Sequence, residues 1–220
     1  MAPPESAAAA VAAATTTTIT PYRQIRATHT PHLITVYQAY KSSIASAAVQ
    51  AQKLNASSDF RPGRMTWIKP SWSWMMYRAG YSHKDAGQER VLALRMKHEH
   101  FVGLLERGVL STHGGLATDR DKAGEVRIQW DPERNERLEV LPYRSIQIGI
   151  PASLSTTWAE QWIAEIEDVT DRARGLKRLL DERPDITREE LLNLGLVPEE
   201  TVFEVSQTIR EKLAMDVTGP

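Results

Sequence analysis

Long polar side chains occur inside several segments that otherwise have the composition of buried strands. Alternate strand residues face solvent, so these side chains can simply be solvated or paired with acids. They can also converge on one cleft, where cations hold phosphate and amide or hydroxyl groups orient a sugar or a base. The side chains concerned are Arg23, Arg26, Gln38, Lys69, Ser71, Gln129, Arg144 and Gln147.

The segment RMTWIKPSWSWMMYR, residues 64–78, holds three of the six tryptophans. It predicts a strand over residues 65–69, because Pro70 cannot continue a strand ladder, and then a helix with Ser71 as its N-cap and Gly80 as its end. We expect the apolar face of that helix to be core. Trp67 and Trp130 are core in one interpretation and a stacking surface for a base in the other.

Lys69 and Ser71 flank the expected helix N-terminus. Free backbone amides and the positive end of the helix dipole favour an anion at this place. We therefore expect a phosphate or pyrophosphate there, with Arg23 or Arg26 and Arg144 closing the site. In the plainer alternative, Ser71 only caps the helix and Lys69 is solvated.

The remaining pattern predicts an α+β fold, a mixed twisted sheet covered by helices. Thr157 and Glu160 are spaced as a capping box, and the apolar residues that follow predict one helix over about residues 157–180. Asp131 and Pro132 in DPERNE predict a turn. Further strands are expected at YRQIRAT, HLITVYQAY, ERVLALRM, EVRIQWDPE and LPYRSIQIGI, and further helices at SSIASAAVQAQKL and HEHFVGLLERG.

Domain boundaries follow from changes in composition. Residues 1–20, rich in Ala and Thr, predict a disordered tail, and residues 21–183 a single α+β domain. Residues 184–220 predict a helical extension. Its first helix begins at a capping box of Thr187 and Glu190 and stops at Gly195, and its second has Pro198 near the first turn.

Composition excludes several classes of protein. A net charge of -1 gives no overall attraction to nucleic acid or anionic membranes, and the absence of cysteine removes disulfides and thiolate sites. No phosphate loop, dinucleotide fingerprint or hydrolase elbow is present. His98 and His100 point apart on a helix, so we expect no metal site. The chain has no apolar run long enough to span a membrane, and an intracellular soluble protein is expected.

Five blocks, YRQIRA, VYQAY, RMTWIKPSWSWMMYR, VRIQWDPER and YRSIQIGI, occur in this order over about residues 20–180. They resemble the signature blocks of DUF4291, a domain family of unknown function from fungi and bacteria. The resemblance implies homology and no particular activity.

The order of elements is also similar, more distantly, to the ADP-ribosyltransferase fold. That resemblance implies NAD as cofactor, held by a first-strand residue and a second-strand Ser, with a late-strand Glu or Gln orienting the acceptor. On this sequence the first role falls to Arg23, Arg26 or Gln38, the second to Ser71 and the third to Gln147. Because YRSIQIGI has no glutamate, modification of nucleic acid, or loss of catalysis, is favoured over modification of protein.

Two functions follow as hypotheses. The first is a nucleotide-binding, NAD-dependent transferase acting on a nucleic acid or a small acceptor. Its catalytic residues would be Gln38, Ser71 and Gln147, and its cofactor-binding residues Arg23, Arg26, Lys69, Arg144 and Trp67. The second is a non-catalytic module that binds a nucleotide or RNA through the same groups, with affinity that falls as salt rises. A scaffold that docks partners on its C-terminal helices is a third possibility.

Overall fold

The computed structural model describes residues 20–111 and 124–215. The expected disordered tail therefore lies outside the described residues, apart from Thr20. The described chain forms nine strands: β1 (Arg26–Ala27), β2 (Leu33–Tyr40), β3 (Thr66–Ile68), β4 (Arg90–Lys97), β5 (Gly108–Leu110), β6 (Val126–Arg134), β7 (Val140–Ile150), β8 (Ile163–Asp168) and β9 (Thr201–Val202).

The described ranges also form seven α-helices. They are α1 (Ser42–Ala51), α2 (Trp72–Ala79), α3 (His98–Arg107), α4 (Ala152–Thr157), α5 (Thr170–Glu182), α6 (Arg188–Asn193) and α7 (Gln207–Lys212). A 3-10 turn spans Ala86–Gln88, and a π-helical turn, Trp158–Trp162, follows α4 directly.

The strands form sheets of mixed orientation, which confirms the predicted α+β class. Four strands are ordered β3-β7-β6-β5, with β5 parallel to β6 and the other pairs antiparallel. Three antiparallel strands are ordered β2-β4-β8, and β1 pairs with β9. The backbones of Tyr37 and Lys69 exchange hydrogen bonds of 2.7 and 3.3 Å, which ties β2 to the end of β3.

Two groups of buried apolar side chains fill the spaces between the sheets and helices. The larger one joins β2, β4, β6 and β7 to α1 and α3, and includes Trp158 and Phe101. The smaller one packs Trp72 and Met76 of α2 against Leu176 of α5. The helical face predicted from RMTWIKPSWSWMMYR is therefore core.

The predicted strand-to-helix corner is confirmed. Strand β3 ends at Ile68, and the Ser71 hydroxyl caps α2 by accepting a hydrogen bond from the Trp74 amide at 3.1 Å. Gly80 ends the helix with φ of 55°, a left-handed conformation that glycine adopts at little cost.

The single helix predicted over residues 157–180 is wrong. Residues 163–168 instead form β8, and Thr157 lies in the last turn of α4, so it caps nothing. The alternation of apolar and charged residues in 163–168 also fits a strand. It places Ile166 in the core opposite Leu94, while Glu165 and Glu167 both pair with Arg95 on β4. Strand partners distant in sequence therefore decide this segment.

The turn predicted at Asp131 and Pro132 is also wrong. Strand β6 continues through both residues to Arg134, and its pairing with β7 shifts register between Pro132 and Arg134. A bulge of this kind tolerates proline within a sheet. The chain reverses only after Asn135, whose side-chain oxygen accepts hydrogen bonds from the amides of Arg137 and Glu139.

Residues 184–215 contain the two predicted helices and one strand that was not predicted. The capping box of Thr187 and Glu190 is present at the start of α6. The second helix begins later than predicted, after Ser206, because the residues that follow Pro198 form β9 and pair with β1. Phe203, Ile209 and Leu213 enter the larger core.

Candidate functional site

A cavity of about 270 Å³ lies beside the N-terminus of α2. Its walls come from β1, the bulged end of β6, β7 and the C-terminal segment. We call it the α2 cavity. The side chains on which its chemistry depends are Arg26, Ser71, Glu133, Tyr143, Arg188 and Glu200.

Ser71 and Glu133 form a buried hydrogen-bonded pair in the wall of the α2 cavity. The Ser71 hydroxyl donates to Glu133 Oε1 at 2.9 Å, and the amide of Arg134 donates to the same oxygen at 2.8 Å. Ser71 and Glu133 are 1% and 6% exposed. Burial raises the pKa of Glu133, although these hydrogen bonds oppose the shift. Glu133 lies at the β6 bulge, and bulges commonly redirect a side chain beside a functional site.

Glu200 is a second carboxyl group in the same cavity. Its Oε1 accepts a hydrogen bond of 2.6 Å from the amide of Trp72, the first residue of α2. Burial and then the neighbouring Glu133 carboxylate raise the pKa of Glu200 to about 8. The protein thus places its own carboxyl group at the helix end where we expected an external phosphate.

Three arginines line the α2 cavity around these carboxyl groups. Arg26 Nη2 donates to the backbone oxygen of Glu200 at 3.0 Å, which fixes β1 against the C-terminal segment. The Arg134 guanidinium lies 4.0 Å from the centre of the Tyr77 ring, and Arg188 forms an ion pair with Glu136. The cavity therefore combines fixed cations with two protonatable carboxyl groups.

Gln38, Trp67 and Lys69, predicted as site residues, line a different cavity of about 200 Å³, which we call the β2–β3 cavity. The Gln38 amide donates to the Thr66 hydroxyl at 2.6 Å and to the Trp67 backbone oxygen at 3.0 Å, so it joins β2 to β3. The Trp67 ring covers Gly149, where an added Cβ would come within 3.0 Å of it.

Arg23 and Arg144 line a third cavity, of about 650 Å³, together with Tyr22 and Trp130. Arg144 Nε donates to the Tyr22 hydroxyl at 2.9 Å, and its Nη1 donates to the Trp130 backbone oxygen at 3.2 Å. Arg23 Nη1 donates to the backbone oxygen of Ala214 at 3.3 Å. Arg144 and Lys69 thus line separate cavities.

Gln147 lies on β7 and lines none of these three cavities. Its Nε2 donates to Gln129 Oε1 at 2.7 Å and to Asp131 Oδ2 at 2.5 Å, both on β6. The predicted site residues are therefore divided among the cavities. Arg26 and Ser71 line the α2 cavity, and the others line the β2–β3 cavity or the third cavity, or, in the case of Gln147, none of the three.

Sequence reasoning missed Glu133 and Glu200. Glu133 stands in the WDPER segment, where Asp131 and Pro132 favoured a turn. A charged residue inside a long strand pattern was the available signal for it. No local signal marks Glu200, because its partner Trp72 is 128 residues away.

Within residues 20–111 and 124–215, no group of three or more His, Asp or Glu side chains is placed to hold a metal ion. His98 packs edge-on against Phe203, and His100 stacks on Trp162. Nor does any helix in the described part of the chain have the length and apolar character needed to cross a membrane.

Comparison with known proteins gives membership of a family. No curated protein matches the chain. The family model described as Domain of unknown function (DUF4291) matches residues 24–203. This match supports the resemblance drawn from the five sequence blocks, and it gives no support to the likeness to ADP-ribosyltransferases. Because this match spans most of the chain, the chain belongs to the DUF4291 family.

Proposed function

We propose that the protein binds NAD in the α2 cavity and transfers ADP-ribose to a nucleic acid or a small acceptor. The hydrogen bond between Ser71 and Glu133, in a cavity that Arg26 also lines, carries the proposal. Arg26 lies on β1, Ser71 follows β3 and Glu133 lies on the late strand β6. Arginine, serine and glutamate are among the residue types that the ADP-ribosyltransferase resemblance implies. In this proposal Glu133 on β6 takes the role that the resemblance gave to Gln147.

The lining of the α2 cavity fits part of a dinucleotide. A volume of about 270 Å³ lies near the lower end of small-molecule sites, which suits one nucleoside half of NAD. Arg26 and Arg188 would hold the pyrophosphate, because guanidinium groups bind phosphate oxygens in pairs. The Tyr143 ring lines the same cavity and would offer an apolar face to the base or to nicotinamide.

When bound, NAD supplies an N-glycosidic bond whose cleavage leaves positive charge on the ribose. The ionised Glu133 carboxylate would stabilise that charge and orient a hydroxyl group of ribose or acceptor. Ser71 fixes the carboxylate by donating to Oε1, and Trp74 fixes Ser71 in turn. Because burial raises the pKa of Glu133, activity should increase with pH as this group ionises.

The test compares the native protein with Glu133→Gln. Glutamine keeps an oxygen that can accept from Ser71 and Arg134, so the melting temperature should change by only a few degrees. We expect NAD binding, measured by titration calorimetry, to stay within a few-fold, while nicotinamide release falls about a hundredfold or more. Glu125→Gln, an exposed change on the approach to β6, is the matched control and should keep full activity.

Absence of NAD binding by the native protein would refute the proposal, as would unchanged nicotinamide release by Glu133→Gln. NAD binding without release of nicotinamide from the native protein would instead favour the non-catalytic module. In that case RNA or nucleotide affinity should fall steeply as salt rises.

A further inference from the structure

The β2–β3 cavity contains two cationic side chains and no acidic one in its lining. Lys69 and Arg78 both contribute to its wall, beside Gln38, Thr66, Trp67 and Gln88. This cavity is separate from the α2 cavity, because Lys69 and Ser71 lie on either side of Pro70 and line different spaces.

Lys69 is buried, and its amine lies against an aromatic ring. It is 6% exposed, and its Nζ lies 5.0 Å from the centre of the Trp74 ring. Within residues 20–111 and 124–215 the contact seen for this amine is the face of the Trp74 ring, and Asp131 is the acidic side chain that acts on its charge. A buried charge is costly, so a lysine in this state favours either loss of its proton or the arrival of an anion.

Arg78 stands at the exposed side of the same cavity. Its Nη1 donates to Gln88 Oε1 at 2.9 Å, so this hydrogen bond is to an uncharged partner. Burial and then the charge of Arg78 lower the pKa of Lys69 to about 7, while Asp131 on β6 acts in the opposite direction. Tyr40 of β2 also lines the cavity.

We propose that the β2–β3 cavity binds an oxyanion, a phosphoryl group, between Lys69 and Arg78. A dianion would neutralise both cations, which otherwise repel each other across the cavity. Lysine binds phosphate as a point charge and arginine through paired N–H groups. A volume of about 200 Å³ accommodates a phosphoryl group, and any nucleoside attached to it would extend out of the cavity.

Sulfate is the first probe, because its charge stays constant through the range in which Lys69 titrates. Titration calorimetry should show saturable binding that weakens as pH rises above about 7, the pKa of Lys69. Binding should also take up protons, so its heat should differ between buffers of different ionisation enthalpy. Lys69→Met should weaken binding about tenfold or more, and Arg78→Gln several-fold. Lys53→Met, at an exposed position, is the matched control.

Inorganic phosphate and adenosine monophosphate then distinguish the two sources of a phosphoryl group. Displacement of sulfate by the nucleotide assigns the site to a nucleotide phosphate, and displacement by inorganic phosphate alone assigns it to the free anion. The proposal is wrong if sulfate does not bind, or if its affinity is the same in Lys69→Met or at every pH. None of these outcomes depends on Glu133, so they stand apart from the test of NAD transfer.

Discussion

At the scale of single residues, Glu200 has two opposing environments. The Trp72 amide and the positive end of the α2 dipole favour its ionised form, whereas burial and the nearby Glu133 carboxylate favour the protonated form. The second influence is the larger, since the pKa rises from 4.5 to about 8. Glu200 therefore changes its charge near neutral pH.

This raised pKa predicts how stability depends on pH. Between about pH 4.5 and 8 the folded protein keeps a proton on Glu200 that the unfolded chain releases. Glu200 thus contributes stability that is fully present below pH 4.5 and is lost as pH rises towards 8. Glu133, whose pKa is also raised, acts in the same direction. In urea unfolding measured from pH 5 to 8, the free energy of unfolding should decrease less with pH in Glu200→Gln than in the native protein.

The exposed Glu204→Gln change provides the control, because its side chain is 75% exposed and pairs only at the surface with Arg210. It should leave the pH profile as in the native protein. An equal slope in native protein and Glu200→Gln would show that Glu200 does not retain a proton in the folded state.

The lowered pKa of Lys69 has the opposite effect on stability, which should increase with pH above about 7. Its pKa is lowered from 10.5 to about 7, so between these values the unfolded chain binds a proton that the folded protein lacks. Stability should therefore increase with pH over this range. Lys69→Met should remove the increase and raise the free energy of unfolding at pH 7 by about 1–4 kcal/mol. Lys53→Met should change it by less than about 0.5 kcal/mol, and loss of stability in Lys69→Met would contradict the argument.

At the scale of elements, the junction of α3 and β5 depends on Gly108. A Cβ at this position would lie 2.6 Å from Ile128 Cγ1 and 3.0 Å from the backbone oxygen of Leu105. Gly108→Ala should cost about 1–3 kcal/mol of unfolding free energy, because β5 must move away from β6.

Gly103 in the middle of α3 is the matched position. A Cβ there meets no atom within 4 Å, so Gly103→Ala should be neutral or stabilise the helix by up to about 1 kcal/mol. Chemical unfolding of both variants tests the pair, and equal effects would show that the contact with Ile128 does not limit packing.

The two tryptophans of the π-helical turn before β8 should contribute differently to stability, because they differ in burial. Trp158 is fully buried in the larger core, so Trp158→Ala should cost about 3–5 kcal/mol. Trp162 is only partly buried and stacks on His100 with ring centres 5.6 Å apart. Trp162→Ala should therefore cost clearly less, and the reverse order in thermal unfolding would contradict this packing.

At the scale of the whole molecule, the C-terminal segment completes the fold and the α2 cavity. Strand β9 pairs with β1, Phe203 and Leu213 enter the larger core, and Glu200 holds the first turn of α2. Truncation after Arg183 should therefore abolish cooperative thermal unfolding. A protein truncated after Arg183 that still unfolds cooperatively at the native melting temperature would show that residues 184–220 only dock on the surface.

The N-terminal residues give the opposite expectation. Removal of residues 1–19, whose Ala and Thr repeats offer little to pack, should leave the melting temperature unchanged.

Local signals in the sequence determined the corner between β3 and α2, the start of α6 and the α+β class. A cap at Ser71, a stop at Gly80 and a capping box at Thr187 act within one helical turn, so neighbouring residues suffice to specify them. Arg26 and Ser71 were also identified as site candidates from their residue types and positions alone.

Tertiary structure decided the rest, because the deciding partners lie far apart in the chain. The 163–168 segment fits a helix or a strand by itself, and its pairing with β4, which buries Ile166 opposite Leu94, makes it a strand. The strand bulge at Glu133 and the approach of Glu200 to α2 likewise depend on pairing and burial that no short window contains. Periodicity and capping are local, whereas desolvation and strand register are properties of the folded chain.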